Sequence, residues 1–142
     1  MPDALCLNEN QVVDAVRKHL EADGYDIISF CHTNDHGIDI VAKKRSQDGG
    51  LLIEAKGGTS SKQTTRRYGV DFDNKKVEHS VAAAFYKATA LYCQYRPIGH
   101  VAGMALPDTD QYRACLDAIR PALIEQNIRV FLVSTDHTVS EF

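Results

Sequence analysis

The stretch Leu51–Gly58, reading LLIEAKGG, constrains the fold more than any other part of the 142-residue chain. Its first five residues are apolar except for Glu54, which suits an interior strand, and the Gly57-Gly58 pair punctuates its end. Alternate side chains of a strand share a face, so Glu54 and Lys56 project together while Leu51, Ile53 and Ala55 point the other way. Desolvating two ions costs several kcal/mol that a buried pair often fails to recover. A charged pair in this position therefore points to chemistry on one face of a sheet.

The neighbouring segments supply the rest of that sheet. Residues 25–31 (YDIISFC) and 37–44 (GIDIVAKK) read as strands parted by the turn-rich HTNDHG, and 47–50 (QDGG) turns the chain into the third strand. Three successive strands with short connections predict an antiparallel meander. Ahead of them, Asn8 and Gln11 form a capping box, Leu7 can staple against Val12, and Val12, Val16 and Leu20 share one face. That predicts a helix over roughly 9–22, stopped at Gly24. From Asn74 the period changes to 3.6, with Val77, Val81, Phe85, Ala88 and Tyr92 as the apolar stripe of a long helix.

A fourth strand is predicted at 98–106 (IGHVAGMAL) and a fifth at 129–134 (RVFLVS). Between them Asp108 and Gln111 suggest another capping box, opening a helix with Tyr112, Cys115, Ile119 and Leu123 inward and a kink or division at Pro121. The order αβββαβαβ describes an α/β chain with a mixed sheet flanked by helices. No repeat or linker interrupts residues 1–142, which read as one domain.

If 37–44 and 51–56 pair through their short turn, Asp39 comes to lie beside Glu54 and Lys56. Two acids and one lysine then converge on one face. Hard oxygen ligands of this kind suit Mg²⁺, which takes one or two carboxylates and leaves its other positions to water and a substrate phosphate. The neighbouring ammonium can orient the attacking water or stabilise negative charge on the phosphate. This is equipment for phosphodiester hydrolysis.

The segments Gly37-Ile38-Asp39-Ile40-Val41-Ala42 and Ile53-Glu54-Ala55-Lys56-Gly57, with fourteen residues between Asp39 and Glu54, closely resemble the PD-(D/E)xK nuclease signature. The likeness is greatest to the Mrr-type restriction-endonuclease branch. It implies a restriction-endonuclease-like αβββαβ core over about residues 8–106, with Asp39 and Glu54 as Mg²⁺ ligands aided by the carbonyl of Ala55. It also implies Lys56 as the catalytic lysine and, as in some members, a helix-one glutamate at the metal site, here Glu9. Read from the residues alone, Glu9 is an acid in a first helical turn, favoured by the helix dipole. Ile38 stands where the written motif has proline, and no separate DNA-recognition domain is visible.

The implied activity is a Mg²⁺-dependent endonuclease acting on DNA, with Mn²⁺ able to substitute. The alternative is a catalytically silent nucleic-acid-binding or assembly module that keeps the fold. Double-strand cleavage by one-site subunits would favour a homodimer.

Charge is distributed to match. The net charge is -3, yet residues 43–76 hold nine Lys and Arg against four Asp and Glu, leaving a basic zone on an acidic protein. Within it, 57–73 (GGTSSKQTTRRYGVDFD) has no clear period and is longer than most connections. Lys62, Arg66 and Arg67 are candidates to contact phosphates, with Tyr68 to stack on a base. Cys31, His32 and His36 lie in a turn, which gives zinc poor ligand geometry. Cysteines 6, 31, 93 and 115 form no C-x-x-C pair and follow no signal peptide, and no apolar run approaches a membrane span. A soluble cytoplasmic protein with reduced thiols is expected.

Overall fold

The computed structural model describes residues 6–32, 35–59 and 72–142. These form helix α1 (Glu9–Ala22), strands β1 (Tyr25–Phe30), β2 (Ile40–Lys44) and β3 (Leu51–Ala55), and helix α2 (Asn74–Tyr95). Then follow β4 (Val101–Pro107), α3 (Asp110–Glu125), β5 (Arg129–Val133) and β6 (Val139–Glu141). The predicted mixed α/β sheet flanked by helices is what forms, with β6 added at its end.

The six strands lie side by side in chain order. The first three make the antiparallel meander, β3, β4 and β5 run parallel, and β6 returns antiparallel. Each parallel step needs a crossover, supplied by α2 and then α3. Two crossovers of one hand advancing in one direction must cover the same face of the sheet. They do: Val77, Val81, Ala84 and Ala88 of α2 and Tyr112, Leu116 and Leu123 of α3 pack with Ala102, Met104, Leu106, Val130 and Leu132. Helix α1 closes the other face, where Val12, Val13, Val16 and Leu20 meet Ile40, Ala42, Leu51, Ile53, Ala55 and Phe131.

The capping box of α1 forms as predicted. Asn8 accepts from the Gln11 amide at 2.9 Å and its own amide donates to the Gln11 side chain at 2.9 Å. At α3 the expectation needs correcting, because Thr109 is the cap and accepts from the Tyr112 amide at 3.1 Å. Asp108 is instead held by Arg113, at 2.6 Å from Nε and 3.0 Å from Nη2. Pro121 lies within a continuous α3, since buried Leu116 and Leu123 anchor the turns on either side of it.

Other boundaries shift for local reasons. Strand β4 starts at Val101 because Arg96–Ile98 forms a 3₁₀ turn with Pro97, followed by Gly99 at φ 84°. The buried stripe of α2 includes Ser80 and Ala84, while Phe85 and Tyr92 lie half-buried at its margin. On the meander, β2 begins at Ile40 and β3 ends at Ala55, so Asp39 and Lys56 stand just beyond the strands assigned to them.

Candidate functional site

The site grows from the place where the β2–β3 ladder stops. Its last pair is Ile40 with Ile53, so Asp39 arrives next to Glu54. Beyond that pair the amide of Ala55 has no strand partner from β2. The carboxylate of Asp39 takes that role, with Oδ2 accepting from Ala55 N at 2.8 Å. The backbone of Asp39 is fixed as well, since its carbonyl accepts from Cys31 N at 2.9 Å. Asp39 therefore caps the end of the neighbouring strand.

Glu54 is the more enclosed acid, 6% exposed in the middle of a wholly buried strand. Burial and then the Asp39 carboxylate push its pKa up to about 7, against the opposing pull of Lys87 and Lys56. Asp39 is raised too, chiefly by burial, with the Ala55 amide, a hydrogen bond to Glu54 and both lysines acting in the other direction. The two carboxyls lie close enough to act on each other, and ionising both in this setting is costly.

Glu9 is brought in by the chain after β3. Gly58 N donates to Leu7 O at 2.8 Å, and Asn8 bridges to Thr59, so this segment runs beside the entry to α1. Any Cβ on Gly57 would collide with the backbone of Glu9 and Asn8, which requires glycine there. Tyr112 fixes the same residue from α3, its hydroxyl donating to Gly57 O at 2.6 Å. Glu9 is half-buried, and its pKa is raised by burial and then by Asp39.

Lys56 continues the parallel ladder through its backbone, which donates to Ala105 O at 3.0 Å. Its charge acts on Glu9, Asp39 and Glu54 through space. The ion pair with Glu54 is made by a residue that sequence reasoning missed: Lys87 on α2, with Nζ 3.2 Å from Oε1. A sequence signal existed in its spacing. Lys87 follows Ala84 by three residues and precedes Ala88, which puts a lysine at the edge of the stripe that faces the sheet.

The remaining candidates divide. Ala55 lies at the end of β3, where its amide orients Asp39. Lys62, Arg66, Arg67 and Tyr68 lie outside the described residues. In the turn before β2, His32 Nε2 lies 2.9 Å from Asp14 Oδ1, and the His36 carbonyl accepts from Cys31 Sγ at 3.5 Å.

A divalent metal can be tested against this donor set. Among the described residues no three His, Cys, Asp or Glu side chains group closely enough to hold an ion by themselves. The acids come as the Asp39–Glu54 pair, with Glu9 acting on it through its charge. A pair of carboxylates fits Mg²⁺, whose remaining positions go to water and phosphate, and poorly fits Ca²⁺ in an all-protein cage. Two enclosed acids that repel each other also favour a cation between them.

Residues 6–71, which contain Asp39, Glu54 and Lys56, match the Mrr_cat family model, described as a restriction endonuclease. The resemblance drawn from the motif is met over that span. No curated protein matches the chain. Among solved structures, an XisH family protein from Nostoc punctiforme aligns over 92% of this chain and 96% of its own, at 17% identity and TM-score 0.50. That likeness concerns the fold alone. SfsA of Pyrococcus furiosus, in complex with Ca²⁺, aligns over 94% of this chain and 58% of its own at 12% identity. Its TM-score is 0.36, too low to bear on the site.

Proposed function

We propose, from the premise that residues 6–71 carry an Mrr-type restriction-endonuclease domain, that this protein is a Mg²⁺-dependent endonuclease hydrolysing DNA phosphodiester bonds. The observation that carries the reading is the placement of Asp39 at the end of the β2–β3 ladder, its carboxylate on the Ala55 amide beside the buried Glu54, with Lys87 paired to Glu54. Asp39 and Glu54 would hold the metal, assisted by the carbonyl of Ala55. When bound, Mg²⁺ supplies Lewis acidity and a more acidic water, and Mn²⁺ can substitute.

The chain's own residues do the rest. The Ala55 amide keeps Asp39 aimed across the strand end, so the acid pair is preorganised. Lys56 orients the water or stabilises charge accumulating on the phosphate. Glu9 adds negative charge beside the pair and tightens its hold on a cation. Lys62, Arg66 and Arg67 bind DNA phosphates, and Tyr68 stacks on a base. We read residues 1–142 as one nuclease domain, cytoplasmic, working as a homodimer where both strands are cut. No two cysteines are joined in a disulfide, and among the described residues no helix is long and apolar enough to cross a membrane.

One observation favours a second reading. Lys87 already pairs with Glu54, as a structural ion pair would in a catalytically silent DNA-binding or assembly module. Supercoiled, linear, single-stranded and branched DNA incubated with the protein, with and without Mg²⁺ or Mn²⁺, separates the two. The enzyme should nick in a metal-dependent way, and Lys56→Ala should remove about 99% of the rate, a hundredfold loss typical of one transition-state contact. Absence of metal-dependent nicking on every substrate would favour the module, and wild-type cleavage by Lys56→Ala would remove Lys56 from the mechanism.

A further inference from the structure

Lys87 and Glu54 are unequal partners. The Glu54 side chain is 8% exposed and fixed in a buried strand, whereas the Lys87 side chain is 57% exposed on the rim of α2. Its stem rises beside Ala84 and Ala88, both fully buried, so its backbone is anchored while its ammonium borders solvent. If the pair separates, Lys87 regains water at little cost, and Glu54 stays where it is. Lys87 is the detachable half.

Its charge also reaches beyond Glu54, to Asp39 and Glu9. Three acids from α1, the entry to β2 and β3 therefore share the charge of one lysine from α2, which contacts Glu54 directly and acts on Asp39 and Glu9 through space, as Lys56 does. A metal bound by Glu54 and a lysine ammonium on the same carboxylate compete for lone pairs and repel each other. Unequal exposure of its two halves marks the ion pair as a resting arrangement.

We propose that Lys87 is the resident counter-ion of the Asp39–Glu54 pair, the charge that a divalent metal displaces from Glu54 on binding. The inference rests on reading that pair as the metal site. It makes Lys87 a positioning residue: it keeps two enclosed acids together in the metal-free protein and withdraws toward solvent when the metal arrives. Metal affinity is then set partly by a residue outside the signature. Because metal and ammonium are linked through one carboxylate, each weakens the other by the same factor.

The test is metal binding by the full chain, measured by calorimetry with Mg²⁺ and with Ca²⁺ at pH 8, for wild type, Lys87→Met and Lys87→Arg. Lys87→Met keeps the aliphatic stem and removes the charge. It should bind Mg²⁺ roughly fivefold or more tightly than wild type, the lower end of ordinary coupling between sites. Lys87→Arg, which keeps the charge, should stay near wild type, and circular dichroism of each variant checks that it is folded. Unchanged or weaker metal binding by folded Lys87→Met, with wild type binding normally, would overturn the role of Lys87 and leave the metal site standing. If neither wild type nor Lys87→Met binds either ion, the metal-site reading falls and this proposal falls with it.

Discussion

Strands β2 and β3 present two unlike faces. Toward α1 they offer Ile40, Ala42, Leu51, Ile53 and Ala55, all buried in one apolar cluster. Toward α2 the alternate positions are Val41, Leu52 and Glu54, continued past the strand end by Asp39. The same α2 face is fully apolar one strand over, where Met104 neighbours Glu54 in register and packs beneath α2 and α3. The difference lies in what covers each patch. Over β4 and β5 two helices press apolar residues onto the sheet, whereas among the described residues the rim of α2, carrying Lys87, is what reaches the end of β3. Acids are tolerated there because cations can reach them. One face holds the fold together and the other spends part of that stability on charge.

The comparison predicts the largest loss on the α1 side. Phe131 is fully buried in that cluster, and Phe131→Ala should cost about 3–5 kcal/mol in urea unfolding. If Asp39→Asn in metal-free buffer cost as much, the two faces would be energetically alike and the contrast would be wrong.

A smaller effect is expected where the two sides are joined. Tyr112→Phe leaves the buried Gly57 carbonyl without its donor and should cost about 1–3 kcal/mol. It should also loosen the entry to α1, read as faster hydrogen exchange at the Gly58 amide that donates to Leu7. Unaltered exchange would mean that α1 is held to the site without α3.

The polar face can also be sharpened through pH. Glu54 has its folded-state pKa raised from 4.5 to about 7, so the folded protein binds its proton more tightly than the unfolded chain does. Its contribution to stability is fully present below pH 4.5 and is lost as pH rises through about 7. Asp39 and Glu9 shift in the same direction and add to the trend. Metal-free wild type should therefore lose stability from about pH 5 to pH 8, and Glu54→Gln should flatten that slope. The measurement is urea unfolding at both pH values in chelator. A slope unchanged in Glu54→Gln would place the titration elsewhere.

Much of this was legible because its causes are local. The capping box needs only residues three apart, and the meander follows from short turns, so Asp39 could be placed beside Glu54 from spacing alone. What escaped depends on tertiary contact. Asp39 was expected inside its strand, but the ladder stops one residue earlier and the acid is used to satisfy the Ala55 amide. Ser80 and Ala84 outrank Phe85 and Tyr92 on α2 because small residues let the helix approach the sheet, a preference that hydrophobicity does not encode. Strand β6 is three residues, two of them exposed, and carries no pattern to read. Lys87 was missed because a pair between β3 and α2 leaves only its position at the edge of a stripe.

The central claim is that Asp39 and Glu54 together form a metal site, and thermal melting across a Mg²⁺ titration at constant ionic strength tests it most directly. Metal binds the assembled pair and scarcely the unfolded chain, so wild type should gain about 2.7 kcal/mol at a concentration a hundredfold above its dissociation constant. Asp39→Asn should start at least as stable as wild type without metal, because the repulsion with Glu54 is gone, and should lose nearly all of the Mg²⁺-dependent rise. No rise in wild type at saturating Mg²⁺, or an equal rise in Asp39→Asn, would contradict the account and leave Glu54 as the buried half of an ion pair with Lys87.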